Sequence, residues 1–355
     1  MEQRRDSKLV RVGITHGDIN GIGYEVILKT FLEPMMLEFC IPVIYGSSKV
    51  ASYHKKALNL PEFNLNLIRR ADSAVPKRIN IVNCIQDDVK VDFGKSTQIA
   101  GQLSVKALEM AIEDYNANLI DVIVTAPINK KNIQSEKFQF PGHTQYFADK
   151  FNSKEYLMFM ISNSMKMGLV TDHIAISEVS KSISTELIIK KIKLLNRSLL
   201  VDFCIRKPRI AVLSLNPHSG DEGFLGNEEN DIIIPAINKA KDDSILAFGP
   251  YSSDGFFGSG EWKKFDAILA MYHDQGLIAF KAMSFNDGVN FTSGLPIIRT
   301  SPVHGTAFEI AGQNIASPDS FRNAIYLAID IFKSRLLYSD ITKNPLKQQQ
   351  LDNER

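Results

Sequence analysis

Seven histidines are few in a chain of 355 residues, and four of them stand in unusual company. They occur as Pro-Gly-His143-Thr, Thr-Asp-His173, Asn-Pro-His218-Ser-Gly-Asp and Met-Tyr-His273-Asp-Gln-Gly. His218 and His273 each follow the carboxyl end of a segment that reads as a β-strand, and His173 falls in the second arm of an expected hairpin. In open α/β sheets, ligands collect beyond the carboxyl ends of strands. Three imidazoles gathered there would leave open positions on a divalent metal, the arrangement of catalytic zinc. Their intervals of 45 and 55 residues match no local metal motif. Spacing alone therefore leaves open that each is an isolated loop or core histidine. Asp172, Asp221 and Asp274 favour a site, since carboxylates commonly orient ligating imidazoles.

Two glycine-bearing turns could hold an anion. The first, Thr15-His16-Gly17-Asp18-Ile19-Asn20-Gly21-Ile22-Gly23, leads from a strand into a helix, whose N-terminus favours negative charge. Its spacing is neither a dinucleotide fingerprint nor a Walker loop, so a tight structural turn is an equal reading. The second runs from Ser301 through His304-Gly305-Thr306-Ala307 to Gly312 and Asn314, with small residues where a flat ring or diphosphate could approach the backbone. Lys281, Asn290 and Arg299 precede it; two cations and an amide suit a carboxylate or phosphate, with Arg able to bind bidentately. Solvated surface charge is the alternative.

The elements that must position these residues alternate. Segments 10–14, 42–45, 79–84, 119–125, 209–215 and 266–272 are short, rich in Val and Ile and apolar on both faces, as buried parallel strands are. Between them, 25–31, 101–116, 186–200 and 230–241 carry apolar residues at helical spacing. That order predicts an α/β architecture with helices on both faces of a sheet. Segments 157–162 and 167–177, joined by Asn163-Ser164, predict an antiparallel hairpin. Residues 317–338 form a long amphipathic helix opening at Ser317-Pro318-Asp319, followed by a polar tail expected to fray.

Composition removes several classes. Forty-one Lys+Arg against 40 Asp+Glu give a net charge of +1, which does not suit an electrostatic nucleic-acid binder. No apolar run spans a bilayer, and the charged start leads into a strand without a signal-peptide core. Cys40, Cys84 and Cys204 are far apart and in apolar surroundings, as buried thiols in a reducing compartment are. A cytoplasmic protein that binds neither membrane nor nucleic acid is expected.

The blocks NPHSGDEGFLGNEE, GPYSSD, MYHDQG, VNFTSGLPIIRTSPVHGTAFEIAG and TAPINK…FPGHT resemble the 4-hydroxythreonine-4-phosphate dehydrogenase family of the pyridoxal phosphate pathway over roughly residues 12–328. The resemblance implies two α/β/α domains like those of isopropylmalate and isocitrate dehydrogenases, with the active site in the cleft between them. One domain would comprise 1–135 plus 286–355, and the other 136–285. It implies His173, His218 and His273 as ligands of one divalent metal (zinc, cobalt or magnesium), with one histidine supplied by the partner of a homodimer. His143, Thr144, Lys281, Asn290 and Arg299 would bind substrate. His304, Gly305, Thr306, Ala307 and Asn314 would form the loop for NAD, or alternatively NADP. Asp254 and Asp274 are candidates for the general base.

The implied reaction is oxidation and decarboxylation of 4-phosphooxy-L-threonine to 3-amino-2-oxopropyl phosphate. The same chemistry on erythronate or threonate phosphate, a phosphate acyltransferase of similar fold and a zinc hydrolase are the alternatives. Departures from the family pattern are Ile19-Asn20 where many members carry Pro-Ala, Tyr24 where Pro is common, and Glu309 where Asp is usual.

Overall fold

In the computed structural model, residues 9–61, 64–85, 88–136, 138–284 and 286–344 are described. The charged start (1–8) and most of the tail expected to fray (345–355) lie outside them. The first half contains β1 (Val10–Thr15), α1 (Gly23–Phe31), α2 (Met36–Phe39), β2 (Cys40–Gly46), α3 (Ser48–Ala57), β3 (Leu65–Ile68), β4 (Ile79–Asn83), α4 (Gln98–Asn116) and β5 (Val122–Thr125). Then follow α5 (His143–Lys150), β6 (Leu157–Ile161), β7 (Lys166–Leu169), α6 (Ile176–Ser182), α7 (Thr185–Val201) and β8 (Arg209–Leu213). Next come α8 (Ile234–Asp242), β9 (Leu246–Tyr251), α9 (Ser253–Gly258), β10 (Ala267–Ala270) and α10 (His273–Ser284). The chain closes with β11 (Val289–Ser293), β12 (Arg299–Pro302) and α11 (Asp319–Ile341).

Among the described residues the strands form one sheet in the order β3-β4-β2-β1-β5-β12-β11-β6-β7-β10-β8-β9. Two parallel blocks, β3 to β5 with β12, and β7 to β9 with β10, are joined by antiparallel pairings of β11 with β12 and β6 and of β6 with β7. The expected α/β architecture is present. Its strands are buried on both faces because helices cover both. Val12, Ile14, Val122 and Val124 pack on one side, and Val43, Tyr45 and Ile123 on the other. Three helices start where the sequence supplies a hydroxyl cap: Ser47, Thr97 and Ser184 each accept a backbone N–H from the first turn.

The hairpin forms, with Met160 opposite Met167. Its second arm is shorter than expected: β7 ends at Leu169, and 170–175 is a turn leading into α6. His173 therefore stands beyond a strand end, where no ladder partner holds it. The strands read at 119–125, 209–215 and 266–272 are likewise shorter. β3 and β9 escape sequence reading because they are edge strands, partly exposed and with mixed polarity. Cys40 and Cys84 are buried as expected, whereas Cys204 is half-buried in a left-handed turn.

Candidate active site

Parallel strands end on one side of the sheet, and a cavity of about 290 Å³ opens there between the two halves. Loops following β5, β7, β10 and β12 bring Lys130, His173, His273 and His304 to its wall, with His143 and Thr144 from the start of α5. Lys281, Asn290 and Arg299 complete the polar lining. Among the described residues no aspartate or glutamate lines the cavity.

Arg299 is 2% exposed on β12. Its Nε and Nη2 donate to Thr125 Oγ1 at 3.2 and 2.7 Å, and Nη1 donates to Thr292 Oγ1 at 3.5 Å. Thr292 Oγ1 in turn lies 3.3 Å from Thr144 Oγ1. Hydroxyls orient the guanidinium without neutralising it, and burial pushes its pKa down to about 9. His143 is held well below the usual imidazole range by burial, with Arg299 and Lys130 adding to the effect. His143 Nε2, Asn290 Oδ1 and His304 Nε2 are buried and lack hydrogen-bond partners. In a folded protein such groups are almost always satisfied. A buried cation without a counter-charge beside unsatisfied polar atoms is a socket for a polar anion.

His173 and His273 face each other with ring centroids 5.5 Å apart. Asp274 Oδ1 accepts from His273 Nδ1 at 2.7 Å, which leaves Nε2 as that ring's free donor atom. Lys130 Nζ lies 3.5 Å from His173 Nε2. His218 does not line the cavity, and no group of three His, Cys, Asp or Glu suited to a metal occurs within the described residues. Two imidazoles make a fitting but incomplete donor set for a borderline divalent ion.

His218 sits in the turn Pro217–Gly223, where five consecutive residues from His218 to Glu222 have positive φ between 45 and 80°. Left-handed backbone costs roughly 1–2 kcal/mol for each non-glycine residue. The turn reaches the approach to α9 through Ser219 Oγ, which donates to Pro250 O at 3.4 Å, and at the start of α9 the Ser252 hydroxyl and the Gly255 N–H lower the pKa of the exposed Asp254. Neither Asp254 nor Asp274 lines the cavity.

Of the loop read for a dinucleotide, His304 and Gly305 reach the cavity. The rest is fastened to the first two βα units. Thr306 O accepts from Ile22 N, Asn314 Nδ2 donates to Leu58 O, and Lys29 Nζ donates to Asn314 O. Ala307 and Asn314 are both left-handed, with φ 44 and 60°. The first glycine turn supports this wall from behind. Asp18 accepts from Asn20 N and Asn132 Nδ2, and its own N–H donates to Pro127 O, tying down the loop that bears Lys130. Asn20 clamps the neighbouring strap: Oδ1 accepts from Asp92 N, and Nδ2 donates to Lys95 O and Thr97 Oγ1.

Sequence reasoning missed Lys130, although it stands in the quoted TAPINK block. It also missed Thr125 and Thr292, whose hydroxyls carry no signal until Arg299 lies against them.

Fold and site define an α/β protein with a cationic cavity at the strand ends between two halves of a sheet. Residues 38–328 match the family described as pyridoxal phosphate biosynthetic protein PdxA. A 4-hydroxythreonine-4-phosphate dehydrogenase from Bacteroides thetaiotaomicron is 54% identical over 341 residues, covering 96% of this chain and 93% of that protein. One from Sulfurihydrogenibium is 41% identical, covering 90% of this chain and 98% of the other. The crystal structure of the enzyme of that name from Klebsiella pneumoniae superposes with a TM-score of 0.81 at 31% identity, covering 92% of this chain and 99% of that one. The chain belongs to this family and is an oxidoreductase of the dehydrogenase type. Among the described residues no helix is long and apolar enough to cross a membrane.

Proposed function

We propose that the protein oxidises 4-phosphooxy-L-threonine at C3 with NAD and releases carbon dioxide, giving 3-amino-2-oxopropyl phosphate for pyridoxal phosphate synthesis in the cytoplasm. The observation that carries this reading is the buried, uncompensated Arg299 in a cavity free of carboxylates. Arg299, Lys281 and Lys130 would neutralise the substrate's phosphate and carboxylate, and the N-terminus of α5 at His143 and Thr144 would add N–H donors. Asn290 Oδ1, His143 Nε2 and His304 Nε2 would gain their missing partners from bound ligand. His173 and His273 would hold a divalent metal (zinc, cobalt or magnesium), with His218 arriving from a second copy. Such a metal, when bound, supplies Lewis-acid polarisation of the C3 hydroxyl and of the charge left by departing carbon dioxide. His304 to Asn314 would form one wall of the dinucleotide site, for NAD or NADP.

Support for a homodimer comes from apolar side chains exposed beside all three histidines: Ile174 and Ile176 near His173, Phe224 near His218, and Ile278 near His273. Asp274 would act through His273, and Asp254 would accompany His218. The division into 1–135 plus 286–355 and 136–285 accords with the sheet order, in which β11 and β12 join the first block and β6 to β10 the second.

A second reading is favoured by the same lining. With no carboxylate to receive an ammonium group, erythronate or threonate 4-phosphate would meet less opposition than an amino acid. Each candidate phosphate is mixed with protein, zinc or cobalt, and NAD, and absorbance is followed at the NADH band. Turnover of 4-phosphooxy-L-threonine with carbon dioxide release is expected. Turnover of a sugar-acid phosphate alone selects the second reading, and no NADH with any of them refutes both.

A further inference from the structure

The left-handed turn bearing His218 has a buried acid beneath it that the reaction does not use. Glu229 is 1% exposed and forms no ion pair among the described residues. Its Oε1 accepts from Leu215 N and Asn216 N, both at 2.8 Å, on the approach to the turn. Its Oε2 accepts from Asn216 Nδ2 at 2.9 Å. A methyl group placed on Gly220, at the centre of the turn, would lie 2.7 Å from the same Oε2, so the backbone rests directly on the carboxylate. Asn216 Nδ2 also donates to Glu228 Oε2 at 2.8 Å. Residues Glu229–Ile233 form a π-helical turn, a local distortion that places the carboxylate under the loop. Strained backbone persists only where its surroundings over-determine it. Here four non-glycine residues, His218, Ser219, Asp221 and Glu222, are held with positive φ; His218, Asp221 and Glu222 are exposed, and Ser219 Oγ donates to Pro250 O at 3.4 Å.

We propose that Glu229, assisted by Asn216, is the positioning residue that holds this turn left-handed so that His218 projects outward, away from its own chain's cavity, to serve a site on a second copy. The inference rests on the reading of His218 as a metal ligand. Glu229 touches neither metal nor substrate; it sets the direction of the ligand through the backbone.

The test uses the full-length protein and cobalt(II) alone, with binding read from the cobalt d–d absorption and folding read from thermal melting. His218→Ala is the reference for a lost ligand. Glu229→Gln should bind cobalt about 10- to 100-fold more weakly, the usual effect of removing a ligand's support. Adding Asp221→Gly and Glu222→Gly, which adopt positive φ without strain, should restore much of that affinity. A carboxylate that merely packs would show no such rescue. If Glu229→Gln does not fold, Asn216→Ala should show a smaller loss in the same direction and the same rescue. Cobalt affinity unchanged in the Glu229 or Asn216 variants, while His218→Ala is weakened, overturns the positioning role and leaves the metal reading intact. A loss that the glycines fail to rescue also overturns it. Undiminished cobalt binding by His218→Ala overturns the metal reading and this inference with it.

Discussion

Arg299 illustrates how a residue's meaning depends on what does not face it. In sequence it is one of 41 basic residues, and a surface arginine is the default reading. In the fold it is almost wholly buried, held by Thr125 and Thr292, and no acid lines its cavity. Removing one partner of a buried, hydrogen-bonded charge pair costs on the order of 2–5 kcal/mol in binding. Arg299→Ala should therefore raise KM for the phosphorylated substrate by well over tenfold and leave dinucleotide affinity nearly unchanged. Arg299→Lys should recover part, since an ammonium cannot reproduce the planar fork. Steady-state kinetics with each substrate varied in turn checks both. A rise confined to the dinucleotide KM would mean that Arg299 belongs to the other half of the cleft.

At the scale of elements, the first glycine turn emerges as a support. Behind it His16, Tyr24 and His54 stack, with centroids 5.4 and 5.0 Å apart. His54 Nε2 meets Ile19 O at 2.8 Å. Burial pushes both imidazoles down to about 4 from the usual 6.5. The unfolded chain takes up these two protons as pH falls through 6.5, whereas the folded chain resists until about 4. Between those values the unfolded state binds more protons, so stability rises with pH and is lost on acidification. At 1.36 kcal/mol per unit the two histidines together account for at most about 7 kcal/mol across the window. His54→Gln should flatten the fall in melting temperature between pH 7 and 4.5. An unchanged slope would show that His54 is not among the responsible groups. Asn20 belongs to the same support. It clamps the strap that packs behind the loop 304–314, with Gly94 lying close under Phe308 O.

For the whole molecule, the decisive geometry is that His173 and His273 face one cavity while His218 faces elsewhere. A shared dimeric site then makes a specific demand. In a hybrid of His173→Ala with His218→Ala, one site loses two ligands and the other keeps all three. In a hybrid of His173→Ala with His273→Ala, each site loses one. Mixing the first pair under conditions of subunit exchange should restore about a quarter of the wild-type rate, given random pairing in a two-fold dimer. Mixing the second pair should restore none. Recovery in the second mixture, or in neither, would rule out this division of ligands.

The alternation that builds an α/β sheet, most of its strands and the residue types that line the cavity were legible in the chain, whereas β3, β9, β11, β12 and the helices α3 and α10 were not. The legible features depend on local periodicity and on side-chain chemistry, which are properties of short windows. His143, Lys281, Asn290, Arg299 and His304 could be picked out singly for the same reason. Their convergence could not, because β12 enters the sheet between β5 and β11, a pairing across more than 170 residues that no window contains. Nor could the shortened second arm of the hairpin that frees His173, the hydroxyl seat of Arg299, or the left-handed turn under His218. Those depend on which backbones meet and which charges lose their solvent, and only the packed chain decides that.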